Sequence, residues 1–253
     1  MTRIIMSGCN GAMGTMISSI VAQDTEAEIV AGIDIADDGT KNYPVFSSIK
    51  DCDVDADALI DFSTPKILDD LLAYCEEKQL PAVLCTTGYD EEQLAKIEKS
   101  ADKFAVLKSA NMSLGVNTLL RLLQEAAKVF APEGFDIEIV EKHHNQKVDA
   151  PSGTALALAD SINEVMGGQY EYVYDRSQKR EKRGKKELGI SAVRGGTIVG
   201  DHDVIFAGTD EVITFSHTAY SKAVFAKGAV AAAKFLKGKT VGRFEMADVI
   251  ANK

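Results

Sequence analysis

The sequence has no tryptophan, only five prolines and only four cysteines among 253 residues. So few prolines exclude a collagen-like or proline-rich chain. Cys9, Cys52, Cys75 and Cys85 are scattered, with no C-x-x-C pair. That spacing suits a reduced cytoplasmic protein better than a zinc site or a disulfide framework. No window approaches the roughly 18 consecutive apolar residues that span a bilayer, so no membrane partner is expected. The first residues, Met1 to Met6, run straight into strand-like sequence. They lack the apolar region and small-residue cleavage site of a signal peptide. Positive charge is also in deficit, with 28 basic against 38 acidic side chains and a net charge of -10. That balance argues against a nucleic-acid partner. What is present is a 45% hydrophobic chain, too apolar for disorder and long enough for one large or two smaller cores.

The first half alternates strand and helix signals. Apolar strand-like runs fall at residues 3–6, 29–33, 58–62, 81–85 and 104–107. Helical periodicity separates them at residues 13–21, 67–78 and 91–99. Short apolar strands between amphipathic helices indicate a parallel α/β sheet. A longer helix is predicted over 114–130, ending before Pro132. The pattern then changes. Residues 135–141 alternate apolar and acidic, as a half-buried strand does. A helix is predicted over 151–166, stopped by Gly167 and Gly168. Strand-like runs follow at 190–193, 204–207 and 211–215, then a final helix at 223–236. The second half therefore reads as a smaller α+β domain. Its stretch from Arg176 to Lys186 is strongly basic. Either it is a solvated loop or it attracts an anionic substrate.

The first strand runs into Gly8-Cys9-Asn10-Gly11-Ala12-Met13-Gly14 and then a helix. Small residues here let the backbone approach a pyrophosphate, and the helix N-terminus offers N–H groups to its oxygens. The spacing is G-x-x-G-x-x-G rather than G-x-G-x-x-G. Asp34 ends the second strand about 20 residues on, where an acid can bond the adenosine ribose hydroxyls. Asp37 and Asp38 follow, and no arginine adjoins Asp34. A 2′-phosphate would meet negative charge there, so NADH is expected to be favoured over NADPH. Lys41 lies close enough in sequence to weaken that preference.

The segment from Glu141 to Ala155 reads E-K-H-H-N-Q-K-V-D-A-P-S-G-T-A. It joins an alternating strand to a helix that Asp149 or Ser152 can cap. Gly153 and Thr154 would then present N–H groups at a helix N-terminus, a ready carboxylate site. Two of the chain's four histidines, His143 and His144, and the lysine Lys147 stand just upstream. One short segment thus supplies proton donors, a fixed positive charge and an anion cradle. No acidic or cysteine ligand stands at zinc-like spacing, so no metal is expected. His202 and His217 read as structural histidines.

The motif H-H-x-x-K-x-D-A-P-S-G-T-A closely resembles the signature of the 4-hydroxy-tetrahydrodipicolinate reductase (dihydrodipicolinate reductase) family. The resemblance runs along the whole chain. It takes in Gly8 to Gly14, Asp61-Phe62-Ser63-Thr64-Pro65, Thr86-Thr87-Gly88, Asn111 to Asn117, Arg194-Gly195-Gly196 and Val199 to His202. It implies an oxidoreductase of the diaminopimelate route to lysine, acting on a small dicarboxylate. His143 would be the general acid, Lys147 a proton donor or carboxylate partner, and His144 a substrate contact. Gly153 and Thr154 would hold a substrate carboxylate. Cofactor contacts would come from Gly8, Cys9, Asn10, Gly11, Ala12, Met13, Asp34, Phe62, Cys85, Thr86, Thr87, Ser109, Ala110, Asn111 and Met112. Cys85 departs from the family's usual Gly or Ala. Ala12 stands where several members carry an arginine able to meet a 2′-phosphate, which again favours NADH.

The expected fold class is α/β. A Rossmann-type dinucleotide-binding domain with a parallel sheet would span 1–113, completed by a C-terminal helix over 219–253. An α+β domain with an open mixed sheet would span 114–218, bind substrate and build a homotetramer, as the resemblance implies. Other readings are a different two-domain nicotinamide reductase, such as an aspartate or homoserine dehydrogenase, and a nucleotide-sensing module without catalysis. The H-H-x-x-K…S-G-T segment speaks against both.

Overall fold

A computed structural model describes residues 1–252. In chain order the elements are β1 (Thr2–Ser7), α1 (Ala12–Val21), β2 (Ala27–Ile33), β3 (Val45–Phe46), β4 (Ala58–Asp61), α2 (Leu68–Lys78), β5 (Ala82–Leu84), α3 (Glu91–Ser100), β6 (Ala105–Leu107) and α4 (Leu114–Phe130). Then come β7 (Asp136–His143), α5 (Gly153–Val165), β8 (Glu171–Val173), β9 (Glu187–Arg194), β10 (Gly200–Ala207), β11 (Val212–Ala219), α6 (Ala223–Leu236), β12 (Gly242–Phe244) and α7 (Met246–Ala251). They form two compact units, residues 1–114 with 223–253, and residues 115–222.

The first unit is built on a seven-stranded sheet in the order β12-β6-β5-β4-β1-β2-β3. Every pairing in it is parallel. Successive β1 side chains point to opposite faces. Ile4 and Met6 enter a core with Ile17 of α1 and Ala229 and Ala233 of α6. Ile5 enters another with Leu68 and Leu71 of α2 and Ile97 of α3. Burial on both faces is why β1 reads as an unbroken apolar run. The strand order reverses between β1 and β4, the crevice where doubly wound sheets take their ligands. The short strands β3 and β12 and the helix α7 extend beyond the expected elements.

The second unit carries a five-stranded mixed sheet, β11-β10-β7-β9-β8. The β11, β10 and β7 pairings are antiparallel, and the β7, β9 and β8 pairings parallel. Helices α4 and α5 cover one face through Leu123, Leu158 and Ile162, packed on Ile137, Ile139, Val204 and Phe206. Helix α5 starts at Gly153, not at 151 as the sequence suggested. Ser152 is its cap, in an extended conformation with its hydroxyl accepting the Ala155 N–H at 3.1 Å. That leaves Pro151 outside the helix.

Candidate active site

In the first unit, the expected cofactor residues follow the carboxyl ends of parallel strands. Gly8 follows β1, Asp34 follows β2, Phe62 follows β4, Cys85 follows β5, and Ser109 stands just beyond β6. The sheet is what gathers them, because parallel strands present all their carboxyl ends on one side. The turn after β1 is tight. Gly8 has φ +79°, and a Cβ there would lie 2.4 Å from the Phe62 carbonyl oxygen. A Cβ on Gly14 would lie 2.2 Å from the Gly8 carbonyl oxygen. Gly11 opens α1 with no capping side chain, and the first turn holds no acidic residue. A helix end of that kind suits a phosphate.

Asp34 braces this turn. Its Oδ2 accepts the Asn10 N–H and its Oδ1 the Ile35 N–H, each at 2.8 Å. Asn10 in turn donates from Nδ2 to the Ala36 carbonyl at 2.8 Å. The Cys9 side chain points the other way, into the core near Gly32. Burial and then the nearby Asp34 charge push its thiol up to about 11. Met112 is also a core side chain. At Cys9 and Met112, therefore, it is the backbone that remains for a nucleotide. Ala12, Thr87 and Ala110 are exposed, and Met13, Phe62, Cys85, Ser109 and Asn111 are half-buried. Thr86 is buried, its hydroxyl donating to Asp61 at 2.6 Å and accepting the Ser63 N–H at 2.8 Å. Asp61, fully buried, also takes the Ser63 hydroxyl at 2.5 Å. Burial raises its carboxyl above the ordinary value, against the pull of those hydroxyls.

In the second unit, β7 buries every second residue: Ile137, Ile139, Glu141 and His143. The row is apolar where it meets the core and polar at its end. Glu141 is fully buried and accepts four hydrogen bonds. They come from His143 Nδ1 at 2.6 Å, Arg194 Nη1 and Nη2 at 2.7 Å each, and the Ser152 N–H at 2.9 Å. Burial pushes its carboxyl up, but those bonds outweigh it and hold it below the ordinary value. His202, opposite Glu141 in the β10 pairing, sets its ring edge-on to His143 at 5.1 Å between centroids. Its Nε2 lies 3.0 Å from the Ser152 hydroxyl. Burial, then the neighbouring His143, pushes the His202 imidazole down to about 4.

Lys147 and Asp149 form an ion pair at 2.8 Å, so Asp149 serves the lysine rather than capping α5. That contact, first of all, holds the Asp149 carboxyl down. His144 is half-buried, Gly153 is exposed with open space where a Cβ would stand, and Thr154 is half-buried. The basic stretch is tied into the sheet. Arg183 donates to Asp136 and Glu138 at 2.8 Å each and to the Ile137 carbonyl at 2.9 Å. Arg176 and Lys179 pair with Glu187. Its arginines at 176 and 183 are thus structural. Glu141, Arg194 and His202 were not singled out as candidate site residues by the sequence; His202, read there as structural, packs edge-on against His143 and bonds Ser152. Parity along β7 was the available signal for Glu141, since it puts residue 141 on the row of Ile137 and Ile139.

Comparison with known proteins agrees along the chain. Residues 2–112 match the family model "Dihydrodipicolinate reductase, N-terminus", and residues 115–250 match "Dihydrodipicolinate reductase, C-terminus". The 4-hydroxy-tetrahydrodipicolinate reductase of Caldanaerobacter subterraneus subsp. tengcongensis is 50% identical over 250 residues, 99% of this chain and 98% of the relative. The same-named protein of Clostridium tetani is 50% identical over 246 residues, 97% of this chain and 96% of the relative. Among solved structures, a dipicolinate-bound dihydrodipicolinate reductase from Paenisporosarcina sp. TG-14 superposes with a TM-score of 0.80. It is 24% identical and covers 97% of each chain, which speaks for the fold.

Proposed function

The chain belongs to the dihydrodipicolinate reductase family, and on that premise we propose that it reduces 4-hydroxy-tetrahydrodipicolinate to tetrahydrodipicolinate in the diaminopimelate route to lysine. The observation that carries the reading is the grouping of His143, Lys147 and the Ser152-capped start of α5 in one segment of the second unit. The first unit supplies a glycine turn and helix end suited to a dinucleotide.

When bound, the reduced nicotinamide supplies a hydride. The substrate hydroxyl leaves as water together with a hydrogen of the neighbouring ring carbon, the hydride adds to the carbon the hydroxyl vacated, and His143 supplies the matching proton to the neighbouring carbon. Lys147 partners a carboxylate or assists the proton transfer, and His144 contacts the substrate. The N–H groups of Gly153 and Thr154 hold a carboxylate, where α5 favours negative charge. In the first unit, Gly8 to Met13 cradle the pyrophosphate and Asp34 meets the ribose. Phe62, Cys85 to Thr87 and Ser109 to Met112 line the remaining nucleotide. With Asp34, Asp37 and Asp38 beside the ribose and Ala12 in the turn, NADH is favoured over NADPH.

The protein works in the cytoplasm as a homotetramer joined through the five-stranded sheet. Helices α4 and α5 pack on one face of that sheet, and a sheet with its other face free of helices is suited to pairing with a second copy, which supports that assembly. Light scattering should return the mass of four chains.

The decisive experiment is a coupled assay. The unstable substrate is generated in place from pyruvate and aspartate semialdehyde by the preceding synthase, and NADH or NADPH absorbance is followed. Absorbance loss that needs both proteins is the expected result. No loss with either nucleotide, despite measurable nucleotide binding, would refute the assignment.

A further inference from the structure

We propose that Glu141, clamped by Arg194, is a positioning residue that fixes the His143 ring so that its proton leaves from Nε2. The proposal rests on the reading of His143 as the proton donor.

Three observations carry it. First, Oε2 of Glu141 lies 2.6 Å from Nδ1 of His143. An ionised carboxylate can only accept, so Nδ1 must carry a hydrogen. The doubly protonated ring then keeps its Nδ1–H on Glu141 and gives up the Nε2 proton. What remains is the neutral ring with hydrogen on Nδ1, already in the hydrogen bond that stabilises it. The proton goes to the carbanionic substrate carbon, and solvent restores it afterwards.

Second, the carboxylate is built in rather than incidental. Glu141 is fully buried, and a buried carboxylate is tolerated only when paired and fully hydrogen-bonded. The two-pronged Arg194 contact does that, at 2.7 Å on each oxygen. Arg194 Nη2 also donates to the Asp149 carbonyl at 2.6 Å.

Third, the pair ties together the segment that holds the chemistry. Glu141 takes one donor from His143 and another from the Ser152 N–H at 2.9 Å. Arg194 grips Asp149 between them. A purely structural ion pair would have no need of the imidazole. On its other side His143 meets the edge of His202 at an interplanar angle of 75°, which leaves the ring little room to turn.

The test uses the full-length protein and the Glu141→Gln variant. An amide cannot accept from all four donors, so the hold on Nδ1–H is lost. Turnover should fall about 10- to 100-fold, as when the partner orienting a functional histidine is removed. The KM for the nicotinamide cofactor should stay within about threefold. The chain has four histidines, so comparison with His143→Ala identifies the His143 signals in 15N-labelled protein. Those signals should show the Nδ1–H tautomer in the parent and a shift toward Nε2–H in the variant. Glu141→Asp should recover part of the turnover. Unchanged turnover and tautomer in Glu141→Gln, with His143→Ala inactive, would overturn the positioning role alone. Full activity in His143→Ala would overturn the proton-donor reading and this proposal with it. If Glu141→Gln does not fold, the parent spectrum decides, and a neutral His143 found chiefly as Nε2–H overturns the proposal.

Discussion

A Cβ placed on Gly200 would stand 3.0 Å from Nε2 of His143. The two residues meet because β10 runs antiparallel beside β7, with Asp201 opposite Lys142. The ring cannot easily give way, since Glu141 holds Nδ1 and His202 stands edge-on. Gly200→Ala should therefore displace the donor atom while leaving the strand intact. Turnover should drop about tenfold, the scale of a sub-ångström misplacement of a reacting group. The thermal midpoint should move by no more than a few degrees. A fully active Gly200→Ala enzyme would show that Nε2 does not face the reaction.

His143→Ala and Lys147→Ala should each lower turnover by roughly 100- to 10,000-fold, the range for loss of a positioned acid–base group. Nucleotide affinity, measured by fluorescence titration, should be unaffected in both. Wild-type turnover in the two variants would end the assignment of this segment.

Asp34→Ala should reduce the ratio of kcat/KM for NADH over NADPH by about tenfold, the effect of removing one nearby negative charge worth ~1.4 kcal/mol. Some loss of affinity for both nucleotides should accompany it, because Asp34 also braces the Asn10 N–H at 2.8 Å. Steady-state kinetics with both nucleotides checks this, and an unchanged ratio would place the discrimination elsewhere.

His202 sets a pH window for stability. Its folded-state value of about 4 lies below the ordinary imidazole value of 6.5. The unfolded chain therefore binds a proton that the folded protein refuses between those values. Stability is fully present above pH ~6.5 and is lost as pH falls toward ~4, by up to about 3 kcal/mol. His202→Gln keeps a partner for Ser152 and removes the titration. Its thermal midpoint should decline less steeply than the parent's across that window. Parallel declines would locate the acid sensitivity in another group.

Much of the first unit was legible from sequence. Buried strands such as Ala58–Asp61 are bounded by turn residues, and the helix at Glu91–Ser100 has an amphipathic period and a capping box at Asp90. These are local signals. Val45–Phe46, Glu171–Val173 and Gly242–Phe244 are too short to show any period, and became strands only because a neighbouring edge was there to pair with. The basic stretch was equally opaque. Arg183 finds Asp136 across 47 residues of chain, a partnership that charge counting along the sequence cannot reveal.

For the candidate site, the sequence alone pointed to residues carried by local signals: the glycine turn from Gly8, the acid Asp34 after the second strand, and the run from His143 to Thr154. Turn conformation, helix capping and strand alternation depend on near neighbours, so their signals survive in one dimension. Tertiary structure alone decided which groups surround His143. Glu141 and Arg194 are 53 residues apart, and His202 lies 50 from Ser152. Alternation tells which face of a strand a side chain occupies, but the pairing of β7 with β9 and β10 chooses what it meets there.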